Sequence, residues 1–96
     1  MDETRSFYLA AYDISSNKRR AKIARIMESM GARVQGSVFE IWLNEKEFAL
    51  LVKRSQKVLN EKEDSLRLYF LCGACQSRIT IYGTGKATQA PELMII

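Results

Sequence analysis

The sequence predicts an α+β fold: a ferredoxin-like βαββαβ sandwich with an antiparallel sheet, helices on one face of the sheet, an extra C-terminal strand and a dimeric assembly. The 96-residue length suits one two-layer core, short apolar segments are typical of strands, and two longer segments repeat apolar residues with helical spacing. These segments follow one another in the order of a split βαβ unit. We expect a single domain over residues 1–96, with residues 84–96 as a C-terminal tail or a strand exchanged between subunits.

The first strand and the first helix are predicted within residues 7–31. The run FYLAAYDI, residues 7–14, is short and apolar, as in a buried central strand. Ser15 or Ser16 can cap the helix that follows, and Gly31 is expected to end it. The apolar stripe of this helix, at spacing i, i+3, i+4 and i+7, consists of Ile23, Ile26, Met27 and Met30.

The central part of the chain predicts more strand and a second helix. Residues 33–43, RVQGSVFEIWL, alternate as a strand does, and Gly36 marks a bend, so one bent strand and two short strands both fit. Asn44 and Glu47 have the spacing of a capping box at the start of the second helix. The apolar stripe of that helix consists of Phe48, Leu51, Val52 and Leu59.

Two further strands are predicted after the second helix. They are SLRLYFL, residues 65–71, and RITIY, residues 78–82, joined by a turn that holds Cys72 and Cys75. A redox-active C-x-x-C normally opens a helix, and this one is predicted not to, so two reduced thiols in a turn are the favoured interpretation. The chain has no histidine, so a zinc site with about four ligands would need two chains.

A sheet with helices on one face only leaves its other face in need of polar residues or a second subunit. Phe7, Leu9 and Ala11, which share their strand face with Asp13, are apolar. The last four residues, 93–96, are apolar as well. We therefore expect a homodimer packed sheet to sheet, in which the partner buries this face and the C-terminal end.

Positive charge is concentrated in one stretch of the chain. The net charge is +4 and the pI about 9.3, which favours binding to polyanions. Between Ile14 and Phe39 there are six cations and one acid, Glu28. The cations are Lys18, Arg19, Arg20, Lys22, Arg25 and Arg33. Those in the first helical turns oppose the helix dipole, so an anion is expected nearby. The alternative is a solvated helix face without function.

The amino-terminal segment bears on localisation. It carries acids where a signal peptide needs bases. Its apolar run ends at Asp13, before it reaches the length that spans a membrane. The sequence therefore predicts a cytoplasmic protein that has no membrane partner.

Asp13, at the end of the first strand, is a candidate metal ligand. Without histidine no imidazole can act as base, whereas Mg²⁺ held by carboxylates can activate water and neutralise phosphate oxygens. Each chain offers one carboxylate at this strand end. A dimer axis near this end would bring two copies of Asp13 together. The alternative is that Asp13 caps the following helix.

The segment YDISSNKRRAKIARIMESMGARVQGSVFEI, residues 12–41, resembles the signature of the small CRISPR-associated adaptation protein family, which partners the CRISPR integrase, and DSLRLYFLC continues the match. The resemblance covers roughly residues 7 to 82. It implies a ferredoxin-like homodimer that acts in spacer acquisition during antiviral defence. It also implies a metal-dependent endonuclease activity on RNA or double-stranded DNA, or a non-catalytic role as a DNA-binding scaffold for the integrase.

The resemblance also implies roles for individual residues. Asp13 would bind Mg²⁺ or Mn²⁺. Lys22 stands where some members have arginine; the lysine keeps the positive charge but lacks the planar, bidentate guanidinium group. The residues tied to nuclease activity are Tyr12, Asp13, Arg20, Lys22, Arg33 and Phe39. The residues expected to bind nucleic acid are Lys18, Arg19, Arg20, Lys22 and Arg33. For Tyr12 and Phe39, ordinary core packing competes with stacking on a base. An unrelated RNA-binding module of the same fold is disfavoured because RLYFL lacks its aromatic strand signature.

Overall fold

The computed structural model describes residues 4–83. The elements are β1 (Ser6–Asp13), α1 (Asn17–Met30), β2 (Gly31–Gln35), β3 (Val38–Leu43), α2 (Glu45–Val58), β4 (Ser65–Leu71) and α3 (Gly73–Gln76). The four strands form one sheet in the order β2-β3-β1-β4, and each neighbouring pair is antiparallel. This arrangement confirms the predicted α+β, ferredoxin-like βαββαβ fold.

The core lies between the sheet and the two long helices. Ile23 and Met27 of α1 and Leu51 of α2 are fully buried, and they belong to one apolar cluster with Phe39 and Ile41 of β3. The other residues of the predicted stripes are partly buried: Ile26, Met30, Phe48, Val52 and Leu59. The predicted apolar faces of both helices are thus confirmed.

The two long helices begin at polar caps. The Ser16 hydroxyl accepts a hydrogen bond from the Arg19 main-chain N–H at 3.2 Å, so Ser16 is the N-cap of α1. At α2 the predicted capping box is present, because the Glu47 N–H donates to Asn44 Oδ1 at 2.8 Å and the Asn44 N–H donates to Glu47 Oε1 at 2.9 Å. Each side chain satisfies a main-chain N–H that the helix itself leaves unpaired.

The segment of residues 33–43 lies in two strands rather than in one bent strand. Gly36, with φ of +30°, lies in the turn between β2 and β3, and the pairing shifts by a bulge between Arg33 and Gln35. Positive φ favours glycine because it has no Cβ. The turn brings the hairpin back towards the first turns of α1.

Gly31 ends α1 as predicted, but for a different reason. Its φ of −160° is extended backbone, which any residue can adopt. A Cβ at this position would lie 2.5 Å from Ile41 Cγ1 and 2.6 Å from the Glu40 carbonyl oxygen. Gly31 is therefore required by the close approach of β2 to β3, which lets the helix pass directly into the strand.

The segment after β4 differs from the prediction. Residues 78–82 form no strand in this structure, so RITIY does not supply the extra C-terminal strand. Instead the chain turns at Cys72 into the short helix α3. The proposed tail or exchanged strand, residues 84–96, lies outside the described residues. Among residues 4–83, no helix is long and apolar enough to cross a membrane.

Candidate functional site

Asp13 is the last residue of β1, lies opposite Ser65 of β4, and is exposed. The alternative that Asp13 caps α1 is wrong, because Ser16 occupies that position. Within residues 4–83 the Asp13 carboxylate makes no hydrogen bond or ion pair. Its oxygens are therefore available to a ligand.

Asp13 shares the helix-free face of the sheet with apolar side chains. Alternation along β1 places Leu9 and Ala11 on this face, opposite Tyr69 and Arg67 of β4. Tyr69 keeps 46% of its surface exposed. Of the predicted open face, Leu9 and Ala11 are partly exposed, whereas Phe7 is buried against Trp42, with ring centroids 5.0 Å apart. Asp13 lies at one end of this face.

A groove lies on the opposite, helix-bearing side at the same end of β1, with a volume of about 420 Å³. Its walls come from the end of β1, the start of α1 and the β2–β3 hairpin. The lining residues are Tyr12, Asn17, Arg20, Ala21, Ala24, Arg33, Gly36 and Ser37. The Tyr12 main-chain N–H donates to the Ser37 carbonyl at 3.1 Å, which holds the hairpin turn against β1.

Phe39 supports the groove from within the core. Its side chain is fully buried, its ring centroid lies 6.2 Å from that of Tyr12 in a stacked arrangement, and the Arg33 guanidinium carbon lies 5.2 Å from the Phe39 centroid. A guanidinium over an aromatic face is stabilised by the ring quadrupole. Because no surface of Phe39 is exposed, it orients Arg33 and Tyr12 and has no face open to a base. For this residue the packing interpretation fits the structure.

The two arginines of the groove retain positive charge that a ligand can use. Arg20 donates from Nη1 to the Ile14 carbonyl at 2.6 Å and from Nη2 to Asn17 Oδ1, and both partners are uncharged. Arg33 Nη2 lies 3.3 Å from Glu28 Oε2 in a solvent-exposed pair. Exposed ion pairs contribute only about 0–1 kcal/mol and exchange easily for another anion.

Arg19 lies in a different environment, which we call the Arg19 corner and define by Arg19, Glu63 and Asp64. Arg19 Nε donates to Asp64 Oδ2 at 2.7 Å, and Nη2 donates to Asp64 Oδ1 at 3.0 Å and to Glu63 Oε1 at 3.1 Å. The Asp64 side chain is fully buried. The hydrogen bonds that Arg19 donates to Asp64 hold the pKa of Asp64 below its usual range and raise the pKa of Arg19. The anion expected near the start of α1 is thus intramolecular.

Lys18 and Lys22 are exposed on α1 and do not line the groove. They are four residues apart, so they lie on one side of the helix together with Arg25. We call these three residues the basic ridge. The structure therefore divides the predicted cations among the groove, the Arg19 corner and the basic ridge.

The sequence did not predict Asn17 and Ser37 as groove residues, or Asp64 as the partner of Arg19. Asn17 lies three residues before Arg20, a spacing at which helical side chains meet, so it could have been found. Asp64 is distant in sequence and carried no local signal. Ser37 reaches the groove only through the hairpin turn.

Within residues 4–83 no group of three or more aspartate, glutamate, cysteine or histidine side chains could hold a metal ion. Asp13 therefore stands as a single carboxylate in one chain. A cation bound there would need ligands from water, substrate or a second chain.

The comparisons with known proteins agree with this architecture. A family model described as CRISPR associated protein Cas2 matches residues 6–79. A Synechocystis protein named CRISPR-associated endoribonuclease Cas2 3 is 42% identical over 89 residues, which are 93% of this chain and 97% of that protein. A crystal structure of a Thermus thermophilus protein is similar with a TM-score of 0.77 at 36% identity, over 86% of this chain and 96% of that one. A chain in a partial Cas6-RT-Cas1–Cas2 complex gives a TM-score of 0.73 at 28% identity, over 90% and 94%. The chain therefore belongs to the Cas2 family of CRISPR-associated proteins.

Proposed function

We propose that this Cas2-family chain acts in CRISPR adaptation as a homodimer that hydrolyses phosphodiesters of RNA or double-stranded DNA, with Asp13 as its metal-binding carboxylate. The main support for the proposal is the exposure of the Asp13 carboxylate and its lack of a capping role. Its carboxylate is exposed at a strand end and has no hydrogen-bond or ion-pair partner within residues 4–83, while Ser16 is the N-cap of α1. A helix cap would have been a sufficient structural reason for an aspartate here.

The proposed dimer is supported by the open face of the sheet. Leu9 and Ala11 lie there beside the exposed ring of Tyr69. Partly exposed apolar side chains on one face of a sheet favour a protein–protein interface there. A two-fold axis near the end of β1 would place the two Asp13 carboxylates close to each other.

Two carboxylates fit a hard divalent cation better than one does. Mg²⁺ and Mn²⁺ prefer oxygen ligands, and Mg²⁺ usually keeps several waters beside one or two carboxylates. When bound, such a cation lowers the pKa of its water and neutralises charge on the phosphate. Asp13 of each protomer would hold the cation, and the negative charge of the pair would make its binding favourable.

The groove supplies the means to hold the nucleic-acid backbone. Arg20 and Arg33 carry planar guanidinium groups that suit phosphate oxygens. In the part of the chain that the structure describes, neither is paired with a buried carboxylate. We assign phosphate binding to these two residues, and long-range attraction to Lys18 and Lys22.

A second candidate function is a non-catalytic scaffold for the CRISPR integrase. Its support is the similarity to a chain in a complex that also contains Cas1. DNA binding through Arg20 and Arg33 would serve this role without any metal. The proposed partner is then the integrase subunit.

The test is cleavage of end-labelled RNA and duplex DNA by the full chain in Mg²⁺ or Mn²⁺. Asp13→Asn is compared with Glu61→Gln, which removes an equal charge from an exposed turn. We expect Asp13→Asn to lose cleavage and metal-dependent thermal stabilisation, and to keep its melting temperature without metal and its affinity for nucleic acid. Glu61→Gln should behave as the wild type does.

Cleavage by Asp13→Asn at the wild-type rate would contradict the metal assignment. If the wild type cuts neither substrate, and spacer capture with the integrase survives Asp13→Asn, the scaffold function is correct. A monomer in sedimentation at micromolar concentration would contradict the dimer in both functions.

A further inference from the structure

Two exposed thiols lie next to each other directly after β4. Cys72 and Cys75 are both exposed, and their sulfur atoms are 3.7 Å apart. The sequence favoured two reduced thiols in a turn because the C-x-x-C was not expected to open a helix. In the structure Cys72 directly precedes α3, so that reason no longer holds.

We propose that Cys72 and Cys75 form a thiol–disulfide exchange site whose substrates are low-molecular-weight disulfides of the glutathione type. The site is complete in one chain. It requires only the two sulfur atoms, an accessible approach for the substrate disulfide, and a backbone that keeps the two thiols close.

The backbone of the turn is held by several hydrogen bonds. The Gln76 N–H donates to the Cys72 carbonyl at 3.0 Å, and the Gln76 side-chain amide donates to the Leu71 carbonyl at 3.0 Å. These bonds fix the two cysteines on one side of the turn. A disulfide requires the sulfurs to approach to about 2.05 Å, which side-chain rotation can provide from contact distance.

The two thiols differ in acidity in the way that exchange requires. The main-chain N–H of Cys75, with the Cys75 thiol and the Ala74 N–H, lowers the pKa of Cys72. The hydrogen bond to Cys72 raises the pKa of Cys75. Because the thiolate is the attacking species, this difference and the position of Cys72 directly before α3 favour Cys72 as the attacking thiol and Cys75 as the resolving thiol.

The reaction proceeds in two exchanges. The Cys72 thiolate attacks one sulfur of the substrate disulfide, whose S–S bond breaks; the leaving thiolate takes a proton from solvent, and a mixed disulfide remains on Cys72. Cys75 then loses its proton and attacks the Cys72 sulfur, which expels the second half of the substrate as a thiol. The protein dithiol is oxidised by two electrons, and the substrate disulfide is reduced to two thiols.

A soft metal ion is the competing occupant of such a pair. Tetrahedral zinc takes about four ligands. Within residues 4–83 no third cysteine, carboxylate or histidine joins the two thiols. An intramolecular disulfide needs no further group. Because the loop that it closes is short, the disulfide stabilises the fold little, and an excess of thiol can reduce it again.

The test equilibrates the full chain with mixtures of oxidised and reduced glutathione, followed by alkylation and intact mass spectrometry. We expect the wild type to lose both free thiols within single chains as the buffer becomes more oxidising, and to recover them in excess reduced glutathione. Cys75→Ser should accumulate a glutathione adduct on Cys72. Cys72→Ser should form its adduct on Cys75 more slowly at neutral pH.

Free thiols that persist in excess oxidised glutathione, or disulfides found only between chains, would overturn the proposal. Half a zinc ion per chain that protects both thiols from alkylation would overturn it too, in favour of a metal site shared by two chains. Equal melting temperatures of the wild type and Cys72→Ser under reducing conditions would show that the variant is folded.

Discussion

The Arg19 corner and the groove contain adjacent residues of α1, Arg19 and Arg20. The two guanidinium groups differ in whether nearby carboxylates neutralise their charge. Arg19 donates hydrogen bonds to two carboxylates, and the side chain of one of them, Asp64, is fully buried. Among the described residues, Arg20 donates only to uncharged oxygens. The helix turns by about 100° per residue, so neighbours in sequence face different surroundings. A run of cations in a sequence therefore does not measure the charge that a ligand can reach.

The largest expected effect is on stability, from Arg19→Ala. The variant removes the guanidinium from the Asp64 carboxylate, whose side chain is screened from solvent and which keeps the Asn60 main-chain N–H as a donor, so the folded state loses a charge-assisted, bidentate contact. We expect the melting temperature to fall by many degrees, measured by calorimetry or circular dichroism. Arg25→Ala, which removes an exposed cation from the same helix, should change it by at most about 2–4 °C. Equal melting temperatures for the two variants would show that the Arg19 corner contributes little.

The next effect is on the pH dependence of stability. The pKa of Asp64 is lowered in the folded state, chiefly by the hydrogen bond from Arg19. The unfolded chain then takes up protons at a higher pH than the folded chain does. The stabilisation is fully present above the unfolded pKa of aspartate, and is lost as pH falls through the lower folded pKa. Asp64→Asn should be less stable at neutral pH and lose less stability on acidification. Parallel pH profiles for the wild type and Asp64→Asn would contradict this coupling.

The fold was predictable because its signals are local and periodic. Both helical stripes, the capping box at Asn44 and the central strand needed only a few neighbouring residues to be recognised. The strand predicted at residues 78–82 is wrong: RITIY has the composition of a strand, but within residues 4–83 it has no neighbouring strand to pair with. A strand needs a neighbour, and composition does not supply one.

The candidate site was predictable only in part. Of the residues that the family resemblance ties to nuclease activity, Tyr12, Asp13, Arg20 and Arg33 lie near one end of β1. Alternation puts Tyr12 on the helix side of the sheet and Asp13 on the open side. Sequence proximity suggested one site, whereas the sheet separates two surfaces. The partner of Arg19 was missed because Asp64 comes from a distant loop, and the state of a charge depends on such long-range contacts.

A smaller effect is expected on the salt dependence of nucleic-acid binding, which should differ between variants of the groove and of the Arg19 corner. We expect Arg20→Ala and Arg33→Ala each to reduce the slope of log K against log salt by about 1, because each removes one phosphate contact. Arg19→Ala, assayed well below its melting temperature, should leave the slope unchanged. Fluorescence anisotropy on one labelled duplex over a range of salt measures all three. A loss of slope in Arg19→Ala alone would mean that nucleic acid displaces Asp64 from Arg19.

The smallest expected effect concerns Lys22 on the basic ridge. Its ammonium is exposed and outside the groove, so it acts on the nucleic acid through solvent, where charges are screened over about 8 Å at physiological ionic strength. Lys22→Ala should therefore weaken binding in low salt and leave it nearly unchanged in physiological salt, whereas Arg20→Ala weakens binding in both. Lys18→Ala is the matched control, because it lies one helical turn away on the same side. If Lys22→Ala weakens binding as much as Arg20→Ala in physiological salt, and Lys18→Ala does not, then Lys22 contacts a phosphate directly and the nucleic acid crosses α1 as well as the groove.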